Sequence, residues 1–127
     1  EKSKPYPESP SGMPGVQTLL PLLLDHAHHG RLTLERVVDL TSAGPARIYG
    51  MRGKGRIAMG FDADLALVDL ARSHTFTAAE MATRCGWTPF EGTTVTGFPV
   101  ATVLRGQIAM RDGQLVGSPA GQRLEFA

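Results

Sequence analysis

The sequence has 127 residues, of which 42% are hydrophobic and 20% charged, with a formal net charge of +1; this fits one small globular domain or a piece of a larger one and excludes a disordered tail. The near-neutral charge argues against nucleic acid or a membrane surface as a partner, because both bind clustered positive charge. One cysteine excludes an internal disulfide, no apolar run reaches the roughly 18 residues of a membrane helix, and no signal peptide is visible, so the cytoplasm is the expected location.

The N-terminal part of the chain predicts a loop followed by a helix. Residues 1–15 are rich in proline and glycine, which interrupt regular structure, and a loop of this length is often functional. Thr18 is the predicted N-cap of a helix over residues 19–29, and Gly30 suits the C′ position that follows its end. Pro21 would lie in the first turn, where its missing N–H costs nothing.

Two shorter helices are predicted next. Thr33 caps the first, in which residues 34–40 place an apolar stripe on one face and charged side chains elsewhere. Gly44 and Pro45 begin the second, with the proline at the first helical position, and Gly50 ends it. Helices are therefore expected throughout this part of the chain.

The second half of the chain predicts short strands. Residues 64–69 contain a continuous apolar run between two aspartates, as expected for a buried strand. Residues 78–84 have the length of one or two helical turns. Two-residue connections at 105–106 and 112–113 predict successive hairpins. The remaining predicted strands are residues 75–77, 100–104, 107–110 and 114–116.

This order of elements indicates part of a larger protein. The first 15 residues have no partner, and the short strands lack the neighbours that a closed sheet needs. The chain also begins at Glu1 rather than methionine. We therefore expect a fragment that associates with itself or is poorly soluble alone, because unpaired strand edges and an uncovered helix face remain.

The stretch from Asp25 to His29 is a concentration of metal-type ligands, Asp-His-Ala-His-His. On a helix, Asp25 and His29 share one face with His28 beside them, whereas His26 points elsewhere. No further ligand is obvious downstream except His74. We therefore interpret the cluster as a polar helix C-terminus, where histidines interact favourably with the helix dipole, and predict no metal ligand there.

Three further features have structural interpretations. Cys85 lacks a paired histidine and is expected to be a small buried residue rather than a nucleophile. Gly53-Lys54-Gly55 lacks the preceding strand and the Gly-Lys-Ser/Thr ending of a phosphate-binding loop, so a turn is predicted. Trp87 and Phe90 are expected to cover the edge of the core.

Four stretches in order resemble the C-terminal part of dihydroorotases, in the cyclic-amide branch of the amidohydrolase superfamily. Residues 9–22 are similar to the family's Ala-Pro-x-Gly-x-x-Gly-Leu-Glu-Thr-x-Leu-Pro-Leu segment, and residues 42–50 to Ser-x-x-Pro-Ala-x-Ile-x-Gly. Residues 55–65 resemble the Gly-x-Ile-x-x-Gly-x-Asp-Ala-Asp-Leu sequence that leads into a small β-domain. Residues 89–106 resemble the late region of dihydroorotases, hydantoinases and allantoinases.

The resemblance implies an α/β parent protein with a metal-dependent-hydrolase (β/α)8 TIM barrel and a small β-sandwich. Residues 1–52 would be the end of the barrel domain, with an active-site-face loop and the final helices, and residues 53–127 the C-terminal β-sandwich portion. Zinc would be the cofactor of the parent, with its ligands outside this segment. The stretch at 25–29 mimics the family's Asp-His-Ala-Pro-His motif but follows the Leu-Pro-Leu segment, so the resemblance also assigns it to a helix.

The resemblance also implies one substrate contact. In the family, the loop after the eighth strand lies at the C-terminal face of the barrel, where barrel enzymes keep their sites, and its x-Gly pair contacts the substrate. Ser11 and Gly12 occupy those positions, where a glycine lets backbone groups approach a planar cyclic amide. The alternative is that the pair is only a turn. No catalytic residue and no metal ligand is carried over.

The implied function is that of the C-terminal segment of a dihydroorotase, which converts dihydroorotate reversibly to N-carbamoyl-L-aspartate in pyrimidine biosynthesis; the segment alone would be inactive. The alternatives are another cyclic amidohydrolase, such as a hydantoinase or allantoinase, and a non-catalytic dihydroorotase-like scaffold subunit. The implied partners are the rest of the parent chain, a small-molecule substrate, further copies in a homo-oligomer, and another enzyme of the pyrimidine pathway.

Overall fold

The N-terminal half of the chain is helical in the computed structural model, which describes residues 2–127. A loop over residues 2–15 precedes helix α1 (Val16–His28), as predicted; Glu1, the first residue of the predicted loop, lies outside the described residues. Helix α2 (Leu34–Val38), a π turn (Asp39–Ala43) and helix α3 (Gly44–Ile48) follow. In the part of the chain that the structure describes, none of the helices has the length and apolarity needed to cross a membrane.

Helix α1 begins at Val16, earlier than predicted. Gly15 is its N-cap, and Thr18 lies inside the first turn, 1% exposed, where its hydroxyl donates to the Gly15 carbonyl oxygen at 3.2 Å. A threonine hydroxyl can bond to a nearby backbone group from either position, so the residue type alone did not identify the cap. The predicted end is confirmed, because Gly30 has a φ of 71° and donates its N–H to the Ala27 carbonyl.

The two predicted short helices form one continuous helical segment. Thr33 caps α2 as predicted, with its hydroxyl accepting the Arg36 N–H at 3.2 Å. The chain then passes through the π turn into α3, and the Gly44 N–H donates to the carbonyl of Asp39, five residues earlier. The predicted third helix is confirmed as α3, which begins at Gly44 with Pro45 in its first turn. The sequence did not indicate that the π turn joins it to α2 without a break. In a regular α-helix the ring of Pro45 would clash with the carbonyl four residues earlier, and the wider π turn makes room for it.

The second half of the chain forms a four-stranded antiparallel meander in the described residues, ordered β1-β2-β3-β4. Both two-residue connections, at 105–106 and 112–113, have positive φ at their two central residues. This is the type I′ geometry that matches the twist of the flanking strands, so both predicted hairpins are confirmed. The strands are β1 (Leu65–Thr75), β2 (Thr94–Leu104), β3 (Gln107–Arg111) and β4 (Gln114–Leu115).

Strands β1 and β2 are longer than predicted. The predicted strands at 64–69 and 75–77 merge into β1, and β2 begins at Thr94 rather than at residue 100. Register shifts after Leu67 and after Asp69 let β1 continue through residues that do not alternate in polarity. Of the predicted helical turns at 78–84, only a 3₁₀ turn over Ala78–Glu80 forms.

The core lies where α1 packs against β2 and α2. Gly97 of β2 has a φ of 100°, and a Cβ there would lie 2.8 Å from the Cβ of Leu24 in α1, so β2 approaches the helix only because this residue has no side chain. Residues 1–52 and 53–127 are the two predicted domains, and this contact joins them. The boundary between the two domains stays a prediction. The buried apolar residues are Leu24, Val37, Ala46, Phe76, Val95 and Ala101.

The apolar run in β1 was predicted to be buried, but in this chain it is largely open. Leu65 and Val68 are half-buried, while Ala66 and Leu67 are exposed. In the described residues, β1 is an edge strand with β2 as its one neighbour. The described residues therefore do not bury both faces of this strand.

Candidate functional site

Ser11 and Gly12, the two sequence-predicted substrate contacts, lie together in the loop that leads into α1. Both are exposed, Gly12 has a φ of 80°, and nothing lies within 4 Å of the position that a Cβ on it would take. Between residues 2 and 127, their backbone N–H and C=O groups bond to no other backbone group. The loop therefore presents unpaired backbone donors and acceptors with open space in front of the glycine.

The loop is anchored where it joins α1. The carbonyl of Gly15 accepts hydrogen bonds from the backbone N–H groups of Thr18 and Leu19, at 3.2 and 3.0 Å, and from the Thr18 hydroxyl. Thr18 and Pro21 are fully buried, so this end of the helix is held by packing as well. Only three residues separate the fixed Gly15 from Ser11, and the junction therefore limits where the loop can lie.

Gln17 connects this junction to the segment that follows β1. Its Nε2 donates to the carbonyl of Glu80 at 3.0 Å, and its Oε1 accepts the N–H of Ala82 at 2.9 Å. A cavity of about 520 Å³ lies between the two segments, lined by residues 14–18 and 81–83. Sequence reasoning missed Gln17, because its partners are backbone groups 63 and 65 residues away and leave no pattern in the sequence.

The side chain of Glu80 holds the same segment on its other side. Its carboxylate accepts the Thr77 N–H at 2.9 Å in a capping box and pairs with Nε2 of His74 at 3.0 Å. The His74 ring in turn lies 4.0 Å from the ring of Phe98 in β2. Residues 77–82 are therefore fixed between α1 and the sheet.

The stretch from Asp25 to His29 has a structural role, at the end of α1 as the sequence analysis expected. Asp25 Oδ1 accepts the N–H of Thr96 at 2.9 Å and so ties the helix to β2, and Oδ2 lies 3.4 Å from His29 Nδ1. His26 Nδ1 pairs with Arg31 at 2.7 Å. Within residues 2–127, no three His, Cys, Asp or Glu side chains are grouped so that they could hold a metal ion. The described residues therefore offer no ligand set for a zinc ion, whose ligands the resemblance places outside this segment.

Lys54 is the centre of a polar cluster that sequence reasoning also missed. The predicted turn at Gly53-Lys54-Gly55 is present, and the Lys54 side chain is only 16% exposed. Its Nζ lies 2.8 Å from Asp62 and also pairs with Asp64, which accepts the backbone N–H of Arg105 at 2.7 Å. Hydrogen bonds to Asp62 and Asp64 raise the pKa of Lys54, and the bond from Lys54, followed by that from Arg105, lowers the pKa of Asp64.

Cys85 is exposed, so the prediction of a buried cysteine is wrong. It lies in an irregular segment between the 3₁₀ turn and β2 that runs over the surface. Trp87 and Phe90 are half-buried, in keeping with a position at a core edge. The Trp87 indole Nε1 is itself buried and has no hydrogen-bond partner among the described residues.

The chain is similar to curated cyclic amidohydrolases. It is 44% identical over 114 residues to a dihydroorotase of Pyrococcus abyssi, covering 90% of this chain and 28% of the relative. A dihydroorotase of Halobacterium salinarum is 45% identical over 124 residues, with 98% and 29% covered. An allantoinase of Rubrobacter xylanophilus is 44% identical over 112 residues, with 87% and 25% covered. The chain thus spans less than a third of the length of these relatives.

Solved hydantoinases share the fold. An L-hydantoinase from Arthrobacter aurescens superposes with a TM-score of 0.82 at 34% identity, covering 86% of this chain and 25% of that one. A D-hydantoinase from a Thermus species gives a TM-score of 0.78 at 34% identity, with 87% and 24% covered. The predicted fold class, a part of the amidohydrolase TIM-barrel fold with its small β-domain strands, is confirmed. The amidohydrolase family model matches residues 8–110, and the chain therefore belongs to the amidohydrolase family.

Proposed function

We propose that this chain is the C-terminal part of a dihydroorotase, a metal-dependent enzyme that converts dihydroorotate reversibly to N-carbamoyl-L-aspartate in pyrimidine biosynthesis. The observation that carries this proposal is the 44–45% identity to two dihydroorotases over at least 90% of the chain. The whole protein would hold zinc through residues outside this chain, since residues 2–127 offer no suitable ligand set. The 127 residues alone would then have no activity.

The contribution of this chain to the reaction would be substrate binding by Ser11 and Gly12. A cyclic amide carries N–H and C=O groups in one plane, and the unpaired backbone groups of this loop are complementary to them. The positive φ of Gly12 and the open space beside it let a flat ring come close to the backbone. A side chain at residue 12 would both strain the loop and occupy that space.

A glycine comparison in the full-length protein tests this role. Gly12→Ala is expected to raise KM for dihydroorotate by about tenfold, the cost of roughly one lost hydrogen bond. Gly113→Ala is the matched control, because Gly113 has a φ of 79° and equally open surroundings but lies in the turn between β3 and β4. Equal KM values for the two variants would refute substrate binding by this loop.

The substrate itself is tested by assaying the full-length protein with dihydroorotate, hydantoin and allantoin in parallel. Turnover of dihydroorotate above the other two is expected. The second candidate is an allantoinase or hydantoinase, favoured by the 44% identity to the allantoinase of Rubrobacter xylanophilus. Hydrolysis of allantoin or hydantoin alone would establish that alternative. A full-length protein that binds no metal when zinc is supplied, and that hydrolyses none of the three compounds, would establish the scaffold subunit.

We further propose that the rest of the parent chain covers the apolar surface left open here. Val16 is 97% exposed at the start of α1, and Leu70 of β1 is 49% exposed, although both lie in regular structure. Surfaces of this kind are typical of an interface with another part of the same protein. We propose in addition that the parent protein forms a homo-oligomer in the cytoplasm and contacts another enzyme of the pathway.

A further inference from the structure

The two hydrogen bonds of Gln17 differ from an ordinary surface contact. The side-chain amide donates to one backbone group and accepts from another two residues on, so it pairs with the Glu80–Ala82 segment as a neighbouring strand would. Only a side chain with both a donor and an acceptor can make this pair of bonds. The segment that it holds is itself fixed to the sheet by the Glu80 carboxylate.

We propose that Gln17 is a positioning residue for the substrate loop. It lies two residues after Gly15, the point at which the loop enters α1, and it links that point to a segment bound to the sheet. The loop carrying Ser11 and Gly12 makes few bonds of its own, so its placement depends on this junction. The inference rests on the proposed role of Ser11 and Gly12 in binding substrate.

The sequence pattern of the resembled family supplies a discriminating variant, since it has glutamate where this chain has Gln17. A carboxylate at this position could accept the Ala82 N–H but could not donate to the Glu80 carbonyl, and it would place a negative charge beside that oxygen. Gln17→Glu therefore removes one bond, and Gln17→Ala removes both. The chain offers Gln107→Glu as a control, because Gln107 is exposed at the start of β3.

The experiment measures kcat and KM for dihydroorotate in the full-length protein, together with hydrogen–deuterium exchange over residues 78–86. Gln17→Ala is expected to raise KM by about threefold to tenfold, the range for one or two exposed hydrogen bonds, with kcat within about twofold of wild type. Gln17→Glu should also raise KM, because it removes one bond and places a negative charge beside the Glu80 carbonyl oxygen. The Ala82 amide should exchange faster in Gln17→Ala, and Gln107→Glu should change neither quantity.

The outcomes separate this inference from the proposed function. An active wild-type protein in which Gln17→Ala leaves KM unchanged would overturn the positioning role alone. A fall in kcat as large as the change in KM, accompanied by a lower melting temperature, would assign Gln17 a purely structural role and also overturn it. A wild-type protein inactive on dihydroorotate would refute the proposed function, and the substrate role of Gln17 with it, whereas the exchange measurement would still report whether the two bonds form.

Discussion

Replacing Lys54 with methionine removes the centre of the polar cluster while keeping most of the side-chain volume. In the native structure the ammonium group contacts both Asp62 and Asp64, and the lysine side chain is only 16% exposed. Asp62 also pairs with the Arg105 guanidinium at 3.2 Å, and Asp64 with the Arg105 backbone N–H, so neither carboxylate is left without a partner. The loss is therefore that of two charge-assisted hydrogen bonds.

The structure sets the size of this effect between two limits. A fully exposed ion pair contributes about 0–1 kcal/mol, and a hydrogen bond to a charged group contributes about 1.5–3 kcal/mol when it is sheltered. The carboxylates of Asp62 and Asp64 are 29% and 25% exposed, which places each bond near the boundary of these ranges. We expect Lys54→Met to lower the free energy of unfolding by about 2 kcal/mol for the two bonds together.

The assay is urea unfolding of the full-length protein across a range of pH. The lowered pKa of Asp64 means that its contribution is present above the ordinary value of 3.8 and is lost as the pH falls through the native pKa below it. The raised pKa of Lys54 means that its contribution is present below 10.5 and is lost as the pH rises through the native value above it. The difference between wild type and Lys54→Met should therefore be constant from about pH 5 to 9 and shrink in acid.

A matched variant controls for the loss of a positive charge. Arg47, which is 69% exposed, pairs with Asp39 at 3.3 Å, so Arg47→Met should lower the free energy of unfolding by less than about 0.5 kcal/mol. If Lys54→Met cost no more than Arg47→Met at pH 7, or if its cost did not change in acid, the inference that this cluster stabilises the fold would be refuted.

Three further outcomes are expected. Gly97→Ala should lower the free energy of unfolding by about 2–5 kcal/mol in urea, since the new Cβ would be 2.8 Å from that of Leu24 at a strained φ; a change below about 0.5 kcal/mol would contradict the close packing of β2 on α1. Replacing His26, His28 and His29 together with alanine should leave the metal content of the full-length protein unchanged by elemental analysis, and a loss of metal would show that these residues are ligands. The isolated 127-residue chain should self-associate in sedimentation and hydrolyse no dihydroorotate with or without zinc; a monodisperse monomer with a sharp melt, or measurable turnover, would show that it is an independent unit.

The features that sequence alone predicted are those determined by adjacent residues. The Thr33 cap depends on one hydroxyl and an N–H three residues later, and Gly30 needs only freedom to adopt a positive φ. Strand length could not be predicted from adjacent residues, because β1 continues past its apolar run only through register shifts against β2. The register shifts depend on pairing between distant segments, so no local pattern predicted that β1 would reach Thr75.

The residues of the candidate site also differ in whether the sequence could predict them. Ser11 and Gly12 were found through a resemblance, and the structure adds that both are exposed in an open loop. Gln17 and Lys54 could not be found by spacing, because their partners are backbone groups or carboxylates brought close by the fold. Cys85 was placed wrongly because the general tendency of cysteine to be buried says nothing about a segment that crosses the surface.

The π turn between α2 and α3 makes the helical segment one residue longer than a regular helix with the same ends would be. Deleting one residue within Asp39–Ala43 would bring this stretch back towards α-helical geometry, in which the ring of Pro45 would clash with the carbonyl four residues earlier. The π turn therefore lets one helical segment carry a proline in its interior. Ala46 directly follows this proline, and its Cβ lies 2.5 Å from where a Cβ on Gly55 would be. The extra residue thus keeps the helix intact up to the point where it meets the chain that leads into the sheet.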